Sequence, residues 1–163
     1  MSHATGTLQI MRKTIYLTLF IFISIIATTS FLHNEEKGII DEEISASLMK
    51  VLITRTNGAS LQMSEVNAGQ WDRLHIYPPY TTTAVLEKDF TSLPKSVVAL
   101  GIDSRDDINL LIFSNGPIIK SAATVSRGIA DFSLASRPMV MDRRDAIFTV
   151  QTQVGRTVLI HRQ

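Results

Sequence analysis

The segment INLLIFSNGPIIKSAATVS, residues 108–126, decides the fold of this chain. Two apolar runs flank Asn115-Gly116-Pro117, and an Asn-Gly pair between apolar runs is a strong signal for a β-hairpin. The first run, INLLIFS, is almost continuously apolar, which is typical of a strand in the interior of a sheet. The segment therefore predicts two adjacent antiparallel strands.

The segments on either side of this hairpin add further strands. Residues 96–102, SVVALGI, form a compact apolar run that predicts another interior strand, and the acidic stretch 103–107 predicts the turn after it. Residues 145–161 alternate between apolar and polar side chains on both sides of Val154-Gly155, which is typical of a closing hairpin. Residues 127–145 are less regular.

An amphipathic helix at residues 41–55 precedes the sheet. Acidic residues occupy its first turn, and Asn57-Gly58 is a stop signal after its end. Leu61 and Met63 then alternate with polar residues, as in a half-buried strand. The predicted fold class is α+β, with this helix followed by a mainly antiparallel sheet of five to seven strands and one short inserted helix. The apolar face of the amphipathic helix consists of Ile40, Ile44, Leu48, Val51 and Leu52.

The N-terminal part of the chain predicts export or membrane anchoring. Residues 14–32, TIYLTLFIFISIIATTSFL, carry no charge and follow Arg12 and Lys13, which is typical of a segment whose basic end stays in the cytoplasm. The whole uncharged run is long enough to span a bilayer, which favours an uncleaved transmembrane helix. Its most apolar part, residues 15–26, has the length of a signal-peptide core, so a cleaved signal is the alternative.

The positions of the apolar segment and of the predicted domain divide the chain into four parts and predict its cellular location. The anchored form would lie in the bacterial inner membrane with its C-terminal domain in the periplasm, and the cleaved form would be periplasmic or secreted. The predicted parts are a cytoplasmic segment at 1–13, an anchor or signal at 14–32, a linker at 33–40 and an extracytoplasmic α+β domain at 41–163.

Composition argues against several classes of function. Fourteen of the 16 basic and all 15 acidic residues follow Leu32, a balance without the basic footprint of a nucleic-acid-binding protein. The chain has no cysteine, its four histidines lack a ligand spacing, and its acidic turn lacks the pattern of a calcium loop, so we predict no metal and no cofactor. No serine lies in a G-x-S-x-G motif, and we predict no enzymatic activity. Arg143-Arg144 fits a solvated turn.

The stretch WDRLHIYPPYTT, residues 71–82, is the best candidate for a site. Its alternation predicts a strand with Trp71, His75 and Tyr77 on one face. Asp72 would lie on the other face from His75, which disfavours an acid–base pair. The prolines end the strand, and Thr81 or Thr82 is expected to cap a short helix after it.

Two interpretations of this stretch remain open. In the structural one, the aromatic rings cover the sheet and pack against the prolines; in the other, exposed aromatic residues and prolines form a surface that binds a protein or ligand. The candidate binding residues of the second interpretation are Trp71, Asp72, Tyr77, Pro79, Tyr80 and Thr81.

The same stretch resembles a family of small exported or membrane-anchored bacterial proteins, many of them lipoproteins. The shared pattern is Trp-Asp, an alternating apolar strand, then Pro-Tyr-Thr, and it continues in LLIFSNGPII, Asp131-Phe132 and RRDAIFTV at residues 143–150. The likeness covers roughly residues 63–150. It implies export and a compact α+β domain, but no reaction, and the absence of a lipobox cysteine argues against carrying over a lipid anchor.

The sequence as a whole predicts a non-catalytic, membrane-anchored or exported domain that binds another protein in the cell envelope. An inhibitor, an immunity factor for a toxin or an accessory subunit fits the export signal and the small size. The alternative is a module that binds a small molecule or a cell-wall fragment. A hydrolase whose residues meet only in the fold is less favoured.

Overall fold

The computed structural model describes residues 39–66, 68–132 and 137–162. These residues contain two antiparallel β-sheets and three α-helices. The helices are α1 (Glu42–Leu52), α2 (Thr83–Leu86) and α3 (Lys95–Val98). The strands are β1 (Ser60–Gln62), β2 (Arg73–Tyr77), β3 (Ile108–Asn115), β4 (Ile118–Ser126), β5 (Met139–Asp142), β6 (Ile147–Gln153) and β7 (Arg156–His161). The predicted α+β class is confirmed, although the strands form two sheets where the sequence predicts one.

The predicted transmembrane segment, residues 14–32, lies outside the described residues. Within the described ranges, no helix has both the length and the apolar character needed to cross a bilayer. From Ile39 onward, the chain groups as one compact unit. The predicted anchor therefore stays a prediction.

The central hairpin is formed by β3 and β4, as the sequence predicts. Seven of the eight residues of β3 are buried. The turn places Gly116 at φ 54°, a left-handed conformation that glycine adopts without strain. β3 lies between β4 and β2 in a sheet of order β4-β3-β2-β5. A β-bulge interrupts the register between Phe113 and Ser114.

The smaller sheet has the order β1-β6-β7. Its β6–β7 hairpin confirms the closing hairpin predicted at residues 145–161. The turn places Val154 at φ 47° and Gly155 at φ 75°. Two successive positive φ angles match a type I′ turn, in which asparagine is favoured over a β-branched residue at the first position.

Helix α1 packs its apolar face against the larger sheet. The Asp41 carboxylate caps the helix by accepting the N–H of Glu43 at 2.9 Å. The three buried residues of the helix follow the predicted spacing, and its last residue lies three positions before the predicted end. Thr54 stabilises that end because its hydroxyl donates to the carbonyl of Val51 at 2.7 Å. The buried residues are Ile44, Leu48 and Leu52.

Apolar side chains pack on both faces of the four-stranded sheet. The larger cluster lies on the face toward α1 and the smaller sheet, and it contains Leu74 and Ile76 of β2. The smaller cluster lies on the opposite face with residues of the α2–α3 region, and it contains Tyr77 of the same strand. Strand β2 is therefore buried on both faces.

Residues 96–102 do not form the predicted interior strand. They contain most of α3 and run into a 3-10 turn at Ile102–Ser104. Pro94 is the N-cap of α3, and Gly101, at φ 58°, turns the chain out of the helical region. A seven-residue apolar run fits a buried helix as well as a strand, so periodicity alone could not separate the two.

Two features at the edges of the larger sheet were not predicted: strand β5, and the segment that pairs with β4. β5 forms one edge within residues 127–145, the stretch without a regular pattern. At the other edge, the N–H of Ala122 in β4 donates to the Ile39 carbonyl at 2.7 Å, and the N–H of Asp41 donates to the Ala122 carbonyl at 2.8 Å. This short parallel pairing covers part of an edge strand whose backbone groups would otherwise be free.

Candidate functional site

Strand β2 divides the predicted binding residues between its two ends. Trp71 and Asp72 precede the strand, and residues 79–81 follow it. A five-residue strand spans roughly 17 Å. Tyr77, the last residue of the strand, is fully buried. The six predicted residues therefore do not form one continuous surface.

Trp71 lies on the opposite face of the sheet from Tyr77, contrary to the predicted alternation. Its ring meets Phe113 edge-on, with the ring centroids 5.2 Å apart, in the cluster next to α1. Alternation applies only within a regular strand, and β2 begins at Arg73, after a bend at Asp72. That bend separates Trp71 from the alternating residues.

Asp72 links three backbone segments. Its carboxylate accepts the Gly116 N–H, with 3.2 Å to each oxygen. Its N–H donates to the Ser114 carbonyl at 2.9 Å, and its carbonyl accepts the Arg143 N–H at 2.8 Å. Asp72 therefore ties the start of β2 to the β3–β4 turn and to the chain after β5. The side chain serves this turn and does not orient His75.

Arg143 packs over Trp71, whereas the sequence suggests a solvated turn. The guanidinium carbon lies 4.9 Å from the ring centroid, which is a cation–π distance. Its Nη1 donates to the carbonyls of Gly69 and Trp71 at 3.5 and 3.4 Å. An open groove of about 550 Å³ lies beside this pair. No local pattern identifies the stack, because Arg143 is distant from Trp71 in sequence.

A chain of four polar side chains runs along the opposite face of the sheet. His75 Nε2 lies 3.1 Å from the Ser114 hydroxyl, and His75 Nδ1 lies 3.4 Å from the Tyr77 hydroxyl. The Tyr77 hydroxyl donates to a carboxylate oxygen of Asp89 at 2.7 Å. Two neighbouring strands and the segment after α2 supply these residues, so no local spacing could reveal them.

The hydrogen bonds of this chain have a direction. Tyr77 has a single hydroxyl proton and gives it to Asp89, so His75 must donate at Nδ1 for that contact to form. His75 Nε2 then accepts from Ser114. Burial lowers the pKa of His75 below its usual 6.5, in spite of the nearby Asp89, and the ring is neutral near pH 7. Burial and the Asp89 hydrogen bond raise the pKa of Tyr77.

This chain links a serine, a histidine and an acid in the order found in hydrolases, but a substrate cannot reach the serine. Ser114 and Tyr77 are 0% exposed, and His75 is 4% exposed. A nucleophilic serine has to reach a substrate carbonyl while its base holds the proton. Because Ser114 is enclosed, this geometry supports a structural role, in which the chain joins β2 to β3 and to the segment after α2.

Tyr80 is held at the surface in a strained backbone conformation. Its φ of 63° lies in the left-handed region, and the residue is 62% exposed. Its N–H is shared by the carbonyls of Ile102 and Arg105, at 3.0 and 3.2 Å. The loop that provides these carbonyls therefore fixes the tyrosine. Most of the Tyr80 side chain is open to solvent.

Two arginines with ion pairs lie at the loop that binds the Tyr80 N–H, since Arg105 belongs to this loop and Arg127 donates to the Asp106 carbonyl at 3.1 Å. Arg105 pairs with Asp107 through two hydrogen bonds of 2.8 and 2.5 Å. Arg127 pairs with the buried Asp131 at 3.0 Å. The hydrogen bond to Asp131 raises the pKa of Arg127.

The neighbours of Tyr80 in sequence serve the local fold. The Thr81 hydroxyl donates to the Pro78 carbonyl at 2.7 Å, which closes the turn. Thr82 is the N-cap of α2, but its side chain makes no capping hydrogen bond. The predicted capping residue is therefore confirmed, but the side-chain hydrogen bond expected of it does not form. Pro79 is half-buried in the same turn.

Comparisons with protein families, curated proteins and solved structures found no match for this chain. The resemblance to small exported bacterial proteins therefore stays a prediction. Two of its residues have clear structural roles, because Asp131 pairs with Arg127 and Phe132 packs against Phe148 with ring centroids 5.4 Å apart. In the part of the chain that the structure describes, no group of three or more histidine or acidic side chains is arranged to hold a metal ion.

Proposed function

We propose that this domain is a non-catalytic protein-binding module of the bacterial cell envelope, and that it recognises its partner through the surface around Tyr80. The apolar segment at residues 14–32 would hold it in the inner membrane or direct its export. An inhibitor, an immunity protein or an accessory subunit would act in this way.

The proposal rests on the exposure and the backbone conformation of Tyr80. A large aromatic residue that is 62% exposed gains little from burial, and its left-handed backbone costs about 1–2 kcal/mol. Backbone strain of this kind is concentrated at sites where function requires a fixed geometry. Tyrosine is also among the residues that contribute most to binding energy at protein interfaces. A strained, exposed tyrosine therefore fits an interface better than a core.

The rigidity of the surrounding loop supports the same role. Two carbonyls fix the Tyr80 N–H, and Arg127 bonds the next two carbonyls of the same loop, those of Asp106 and Asp107. A side chain that is ordered before binding loses less conformational entropy when the partner arrives. The Tyr80 surface therefore has the preorganisation expected of an interface centre.

The test is a crosslinking pull-down of the full-length protein from intact cells, with identification of the captured proteins. Tyr80→Gly removes the ring and permits the positive φ, so this variant separates recognition from folding better than alanine does. Tyr80→Phe keeps the ring. Ile118→Thr is the matched control, because Ile118 is 58% exposed at the start of β4.

The proposal expects one partner that is enriched with the wild type, Tyr80→Phe and Ile118→Thr, and lost with Tyr80→Gly. Trp71 fluorescence and circular dichroism would establish that each variant is folded. Equal capture by a folded Tyr80→Gly variant would contradict the proposal, and so would the absence of any enriched protein.

A further inference from the structure

We infer that the groove beside Trp71 is a binding site for a neutral saccharide. This site lies at the end of β2 opposite to Tyr80, and the inference does not depend on the protein-binding function. The groove has a volume of about 550 Å³ and is open to solvent. Its lining residues are Gln70, Trp71, Asp72, Asn115 and Arg143.

The charged groups of the groove are fixed before any ligand arrives. The Arg143 guanidinium is held by two backbone carbonyls and by the face of the Trp71 ring. The Asp72 carboxylate is held by the Gly116 N–H. Fixed donors and acceptors reduce the entropy that a ligand has to overcome on binding. The groove is therefore preorganised for hydrogen bonding.

Trp71, which lines the groove, has a buried indole N–H without an acceptor among the described residues. The residue as a whole is 4% exposed. A buried donor without an acceptor costs about 1–3 kcal/mol. Since Trp71 lines the groove, a ligand oxygen that enters beside Arg143 would supply the missing acceptor.

The charges of the groove select the chemical class of the ligand. Asp72 and Arg143 both line the groove and carry opposite charges, so the attraction that either one exerts on an ion is offset by the repulsion from the other. Gln70 and Asn115 add neutral carboxamides, which both donate and accept hydrogen bonds. Hydroxyl and acetamido groups can donate to the carboxylate and accept from the guanidinium. A neutral sugar with such groups fits all of the lining residues.

Trp71 is the single tryptophan of the chain, so its fluorescence reports directly on this groove. The experiment titrates the full-length protein, in a detergent without a sugar head group, with the N-acetylglucosamine trimer. Inorganic phosphate, and lysine as a cation, serve as charged probes. The inference expects a saturable change in Trp71 emission with the trimer and none with phosphate or lysine.

Three variants make the result specific. Gln70→Ala and Asn115→Ala alter exposed side chains, and each is expected to weaken binding by about fivefold, the equivalent of one hydrogen bond. Tyr80→Gly should bind the trimer like the wild type, which separates this site from the proposed protein interface. No saturable change with the trimer, a saturable change with phosphate or lysine, or unchanged affinity in both groove variants would overturn the inference.

Discussion

Replacement of Tyr80 by glycine and by alanine should reverse the usual order of stability of these two residues. At an ordinary position, glycine is less stable than alanine by about 0.5–1 kcal/mol because it loses more backbone entropy on folding. At φ 63°, alanine keeps the left-handed penalty of about 1–2 kcal/mol, and glycine has none. Both variants lose the same ring contacts. We therefore expect Tyr80→Gly to be more stable than Tyr80→Ala by about 1 kcal/mol.

Urea denaturation of both full-length variants, followed by Trp71 fluorescence, measures this difference directly. In a thermal melt, the same free energy corresponds to a shift of about 4 °C for a domain of this size. Equal stability, or a more stable alanine variant, would refute the argument that Tyr80 is strained. The proposal that this strain serves recognition would then lose its main support.

Three further predictions concern stability. Val154→Asn should stabilise the domain by about 1 kcal/mol in a thermal melt, because asparagine tolerates the positive φ and Val154 is 102% exposed, with no packing to lose; an unchanged or lower midpoint would contradict this. Tyr77→Phe should cost about 2 kcal/mol in urea denaturation, because it removes a hydrogen bond to the Asp89 carboxylate and leaves the buried His75 Nδ1 without a partner, and a cost below about 0.5 kcal/mol would argue against the polar chain. The free energy of unfolding should fall as the pH drops below 6.5, because His75 binds a proton in the unfolded state at a pH where the folded state, with its lower pKa, does not. His75→Gln should reduce the dependence of this free energy on pH, measured by urea denaturation at several pH values. An identical dependence in both proteins would assign it to other groups.

The hairpins were predictable because their signals are local. Asn115-Gly116 and Val154-Gly155 lie between apolar runs, and a positive φ at each glycine allows the tight reversal. Helix α1 was predictable for a similar reason, since its capping residue and its apolar spacing lie within one segment. In each case, the residues that determine the element are neighbours in sequence.

The errors in the fold arose where the apolar pattern does not determine the local conformation. The apolar run 96–102 has no period that separates a helix from a strand, and its conformation depends on Pro94 and Gly101. The face of Trp71 was wrong because the chain bends at Asp72, before the strand begins.

The candidate site shows a second limit, which is set by distant contacts. Tyr80 was among the predicted residues, but its backbone strain depends on carbonyls from the Ile102–Ser104 turn and the residue after it. Arg143, which lines the groove with Trp71, follows β5 in the chain and was predicted to be solvated. Distant residues that meet only in the fold leave no pattern in a single sequence.

The pairing of Ile39 and Asp41 with Ala122 sets the point at which mechanical load would enter the domain. A pull on Ile39 along the direction of β4 would act parallel to both paired segments, because this pairing is parallel. A pull in that direction loads both hydrogen bonds in shear, so they resist together instead of peeling apart one after the other. An N-terminal tether would therefore pull on the larger sheet at its β4 edge, while Tyr80 lies at the end of β2, a strand that β3 separates from that edge.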